Sequence, residues 1–244
     1  MTATEKRIRI TGVILCELFA VITIFRLVGD AQWERLFLAV ITPLLILVPS
    51  VVEWLFRCKI SLPVYLICLF YAIGPMLGHC YKLYYLLPGW DKMLHILGGV
   101  MFALFGFFLF SVMGGDSKKR WLAALFALCF SMAVAVMWEF VEFGADQLLG
   151  MDMQNDTIVH SIYSYVLGKV PGSAGYFEGI EAVTVNGTPL PFAGYLDIGL
   201  HDTMWDMLLE TIGAAVTVGL SALGKGKHQP ISINKQLFGV LRKT

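Results

Sequence analysis

Three short blocks of the sequence place side chains able to hold protons or metal ions at the ends of apolar runs. Asp91, Lys92 and His95 open one run, Glu139, Glu142 and Asp146 close another, and His201, Asp202, Asp206 and Glu210 open a third. Their spacings are helical: Asp91 and His95 are i, i+4, Glu139, Glu142 and Asp146 are i, i+3, i+7, and Asp202, Asp206 and Glu210 are i, i+4, i+8. Each set therefore lies on one face of its helix. Carboxylates joined by one imidazole make an oxygen-rich ligand set that suits Mg, Mn, Fe or Zn, and helix bundles build such sites from facing helices. The candidate ligands of a divalent metal ion are Asp91, His95, Glu139, Glu142, Asp202 and Asp206. Lys92, Glu142 and Asp206 are the candidate catalytic residues, with Lys92 placed to neutralise charge on a substrate.

An acid near the centre of a bilayer costs about 2.5–3.5 kcal/mol by insertion scales, so these faces must look into the bundle or a wet cavity. Two alternatives stand beside a bound cation. Crowded carboxylates can share protons, and polar side chains can simply join helices. Charge balance favours the cation. With Asp152 nearby, eight acids meet only Lys92 and His95 from the same segments, with Arg26, Arg35 and Lys82 as donors at the rim. Glu17 and Glu53 stand isolated in other apolar runs, and Glu53 is expected to reach the membrane interface.

The elements that must position these residues are membrane helices. Hydrophobic residues make up 57% of the chain and charged residues only 15%, with a mean hydropathy of +0.72, far too apolar for a soluble domain. The expected partner is the lipid bilayer, in a multi-pass arrangement in the cell membrane, and a net charge of zero gives no sign of nucleic acid. A helix crossing about 30 Å of hydrocarbon needs about 20 apolar residues. Six stretches meet that need, at about 9–28, 36–56, 62–80, 91–113, 121–145 and 203–223. The expected fold class is an all-α polytopic bundle of six transmembrane helices, in a single domain over residues 1–223.

Orientation follows from the basic residues. The N-terminal segment, the second and fourth loops and the tail hold 13 of the 18 Lys and Arg, which predicts that both termini are cytoplasmic. All three acidic blocks then fall in the extracytoplasmic half of the membrane. Residues 147–201 form a long extracytoplasmic loop, and Asn186-Gly187 between extended residues predicts a short β-hairpin within it. Residues 224–244 read as a basic, amphipathic cytoplasmic tail, with Leu237, Phe238 and Leu241 among Lys235, Arg242 and Lys243 suggesting a short interfacial helix. Five scattered cysteines form no disulfide or zinc pattern.

The blocks Asp91-Lys-x-x-His95-x-x-Gly98, Trp138-Glu-x-x-Glu142 and His201-Asp-Thr-x-x-Asp206, with Gly213-Ala214, resemble the YjdF-like family of bacterial inner membrane proteins. The resemblance covers about residues 85–223. A looser likeness to VanZ-like membrane proteins lies in the Asp-Lys-x-x-His block and a later acidic helix start. The resemblance implies a bacterial cytoplasmic-membrane protein and no particular activity, and the long insert before the last span departs from the simplest family pattern. Three functions fit the residues: a cation-dependent enzyme acting on a lipid-linked or phosphorylated substrate, a proton- or cation-coupled transporter, and a non-catalytic membrane assembly factor.

Overall fold

The computed structural model describes residues 2–115, 119–223 and 238–240. These divide into two compact units, the described residues up to 138 with those from 206 onward, and residues 139–205. Helices dominate: α1 (Ala3–Gly29), α2 (Trp33–Leu55), α3 (Leu62–Cys80), the short α4 (Leu83–Leu86), α5 (Trp90–Val112), α6 (Arg120–Leu149) and α7 (Leu200–Leu223). All but α4 lie where the apolar runs place them. Among the described residues, five helices (α1, α2, α3, α5 and α6) are long and apolar enough to cross a membrane, and α7 is not one of the five.

In the first unit, α1, α2 and α3 pack on one another around Ala20, Leu27, Ala39, Ile46, Leu69 and Met76, and Phe108 of α5 joins them. Other faces of α1 and α2 are apolar and exposed, as at Leu15, Phe25, Leu44 and Trp54, which is the surface a bilayer covers. Thr2 and Glu5 form a reciprocal capping box that satisfies the first amides of α1. Between α2 and α3, strand β1 (Cys58–Ile60) pairs antiparallel with β8 (Phe238–Val240), Cys58 opposite Val240. The tail segment expected to be helical thus forms a strand at Phe238–Val240; the rest of the tail lies outside the described residues. All five cysteines are free.

Close backbone approaches bring α5 to its neighbours within this unit. A Cβ on Gly99 would collide with the Glu210 carbonyl, and one on Gly213 with the Ile96 carbonyl, so α5 and α7 cross where only glycine fits. Gly106 meets the backbone of Ala127 on α6 in the same way. Ser131 Oγ donates to the Gly99 carbonyl at 3.3 Å.

In the second unit, the connection from α6 to α7 is richer in strands than the single expected hairpin. Strands β2 (Thr157–Val159) and β7 (Tyr195–Asp197) pair antiparallel, as do β3 (Ser161–Ser164) with β4 (Gly175–Glu178) and β5 (Thr184–Val185) with β6 (Thr188–Pro189). The last pair is the hairpin expected at Asn186-Gly187, both at positive φ (52° and 82°) as its tight turn requires. The β2–β7 pairing joins the two ends of the connection and has no comparable local signal.

Candidate metal centre

The first turns of α5 carry Asp91, Lys92 and His95, and α7 faces them with Asp206 and Glu210. Each aspartate turns one oxygen toward Lys92 and the other toward His95. Lys92 Nζ lies 3.1 Å from Asp91 Oδ2 and 2.7 Å from Asp206 Oδ1. The remaining oxygens, Asp91 Oδ1 and Asp206 Oδ2, face His95 Nε2 at 3.6 and 3.7 Å. His95, Asp206 and Glu210 are buried.

Those two distances matter because they exceed an ordinary hydrogen bond of about 2.9 Å. Two ligands each about 2.0 Å from one tetrahedral ion sit about 3.3 Å apart. One donor atom from each of Asp91, His95 and Asp206 lies within 4.8 Å of the other two, so this Asp-His-Asp group could hold a metal ion. On the other side of the imidazole, His95 Nδ1 is 3.9 Å from Glu210 Oε2, while the buried Glu210 Oε1 has no hydrogen-bond partner among the described residues.

Of the six candidate ligands, the structure brings Asp91, His95 and Asp206 together. The other three belong to the second unit, where Glu139, Glu142 and Asp202 are all buried. Asp202 Oδ2 accepts from the backbone N–H of Asn155 at 3.0 Å and from its side-chain amide at 3.3 Å. Asp146 accepts from the N–H groups of Met153 at 2.6 Å and Gln154 at 2.9 Å. These two aspartates fasten the turn that follows α6, a task that helical spacing does not distinguish from metal binding. In the same unit burial, and then the charges of Asp156, Asp146 and Asp202, push the Asp152 carboxyl above its ordinary value. Burial, and then Asp197 and Asp146, do the same to Asp156.

Other expectations are corrected. Glu53 is not isolated: Arg9 Nη1 reaches it at 2.6 Å, Lys59 Nζ at 2.9 Å and the Ile60 N–H at 2.8 Å. Arg26 donates to the Cys80 carbonyl and lies over the Tyr81 ring, and Arg35 donates to Gln32, so both rim arginines are engaged elsewhere. Glu210, the last member of the α7 stripe and not one of the six candidate ligands, is the carboxylate behind the histidine.

A family model described as "Predicted membrane protein (DUF2238)" matches residues 11–226. No curated protein and no solved structure matches. The family match bears out the likeness read from the three blocks and extends it back through the first three helices.

Proposed function

The chain belongs to this DUF2238 family of membrane proteins, and we propose that it is a cation-dependent membrane enzyme acting on a phosphorylated, lipid-linked substrate. The observation that carries the reading is the gap at His95 Nε2, bounded by Asp91 Oδ1 and Asp206 Oδ2 at 3.6 and 3.7 Å. Asp91, His95 and Asp206 would hold a divalent ion there, through a nitrogen and two oxygens that suit Zn, Mn or Fe. Such an ion supplies Lewis-acid polarisation of a phosphoryl oxygen. Lys92 places its ammonium beside the two aspartates, where it would meet another oxygen of the same phosphate. Asp206 holds that ammonium through Oδ1 and keeps Oδ2 toward His95.

In this reading α7 is the sixth span and both termini are cytoplasmic, which puts the start of α5 in the extracytoplasmic half of the bilayer. The concentration of Lys and Arg in alternate connections supports that orientation. A transporter would need an inward path of acids, for which the sequence offers Glu17, Glu53 and Glu210, and of these Glu53 is occupied by Arg9 and Lys59.

The test begins with metal content. Purified protein should carry about one equivalent of a divalent metal, and Asp91→Ala, His95→Ala and Asp206→Ala should each lose it. Metal-loaded protein should release phosphate from a lipid pyrophosphate, and Lys92→Ala should slow that release while keeping the metal. Glu142→Gln, assayed alongside, tests the remaining catalytic candidate. Wild-type protein that binds no divalent metal, or a metal still held by His95→Ala, would sink the proposal.

A further inference from the structure

Metal-binding histidines commonly give their second ring nitrogen to a carboxylate or carbonyl, which fixes the tautomer and the plane of the ring. Glu210 occupies that place here. Its Oε2 faces His95 Nδ1 at 3.9 Å, and the opposite ring nitrogen faces Asp91 and Asp206. Its other oxygen is buried with no hydrogen-bond partner among the described residues, so across the helix crossing the contact of this carboxylate is with His95.

The backbone keeps this carboxylate in place. The Glu210 carbonyl sits against Gly99, one helical turn beyond His95, in the space a Cβ would fill. The Ile96 carbonyl sits against Gly213, nearly one turn beyond Glu210. The turn of α7 that bears Glu210 is therefore registered against the turn of α5 that bears His95.

We propose that Glu210 is a positioning residue: its carboxylate favours the tautomer with the proton on His95 Nδ1, the 3.9 Å contact closing to a hydrogen bond when an ion binds, and so presents the bare Nε2 to a divalent cation held with Asp91 and Asp206. The inference rests on the metal site proposed above. Glu210 is not itself a ligand in it; it acts through the imidazole.

The experiment uses full-length protein in lipid nanodiscs with Co²⁺ as the probe. Wild type should bind Co²⁺ and His95→Ala should not. Glu210→Gln should bind it about 10–100-fold more weakly, the effect typical of removing an outer carboxylate, with an altered visible Co²⁺ spectrum. Glu210→Asp, which keeps the charge, should recover part of the affinity. In ¹⁵N-histidine spectra of the wild type, the His95 proton should sit on Nδ1, a readout that needs no variant to fold and that a purely structural Glu210 would not fix. Co²⁺ binding by Glu210→Gln equal to wild type, or a His95 proton on Nε2, overturns the positioning role and leaves the metal site standing. Absence of Co²⁺ binding by the wild type overturns both.

Discussion

Two buried charge clusters of the first unit are built on opposite plans. Around Glu53, one carboxylate meets two cations and a backbone amide, at 2.6, 2.9 and 2.8 Å. Arg9 also donates to the Ile60 carbonyl and lies over the Tyr65 ring. Around His95, three carboxylates face the imidazole at 3.6–3.9 Å, two of them also meet Lys92, and one Glu210 oxygen has no hydrogen-bond partner among the described residues. In the first cluster both carboxylate oxygens of Glu53 are engaged, although Arg9 Nε is buried with no hydrogen-bond partner among the described residues, and the cluster ties β1 to α1 and α2. The second holds its imidazole by longer contacts and keeps one carboxylate oxygen without a hydrogen-bond partner among the described residues, which suits a group that arrives from outside. Buried charges alone therefore do not mark a site; how they are held does.

The largest effect that would sharpen this contrast is expected at Arg9. Arg9→Ala leaves Glu53 buried with only the half-exposed Lys59 as counter-charge, and should lower stability by about 3–5 kcal/mol, read from unfolding in detergent. Gly99→Ala should cost about 1–3 kcal/mol by forcing α5 and α7 apart, and should weaken metal binding as well; loss of stability with unchanged metal affinity would detach the crossing from the site. Lys59→Ala, at the exposed edge of the Glu53 cluster, should cost under about 1 kcal/mol in the same unfolding measurement. Smallest of all, Glu210→Gln should leave the stability of metal-free protein unchanged or slightly raised, because it removes a buried carboxylate whose hydrogen bonding is incomplete. A fall comparable to that of Arg9→Ala would break the comparison.

The second unit offers a pH test of the same idea. Asp152 and Asp156 are held above their ordinary value by burial and neighbouring acids. The folded state then binds more protons than the unfolded one, so stability from this pair is greatest in acid and falls as pH rises from the ordinary value of 3.8 through the raised ones. Asp152→Asn should flatten that slope and stabilise this unit at neutral pH, measured as the unfolding midpoint against pH.

The apolar runs make the helices legible, because a bilayer-crossing segment must satisfy its backbone internally and show hydrocarbon outside. The same reasoning places Asp91 and His95 on one face and finds Asp206 on another helix. It cannot separate Asp206, which meets the histidine, from Asp202, which holds the Asn155 amide, since both lie on one stripe of α7. Nor does it show that Arg9 and Lys59, 44 and 6 residues from Glu53, converge on that carboxylate. The β2–β7 pairing escapes for a related reason, as its partners are brought together by chain closure.

Local periodicity and hydropathy are enough to dictate the six long helices, the membrane as the solvent of the apolar ones, and the faces that carry acids. Which acids meet is a matter of packing. Spacing along a helix fixes the direction of a side chain about its own axis, whereas the distance from Glu210 to His95 depends on how closely two backbones approach. At Gly99 and Gly213 that approach is set by the absence of a Cβ against a carbonyl on the facing helix.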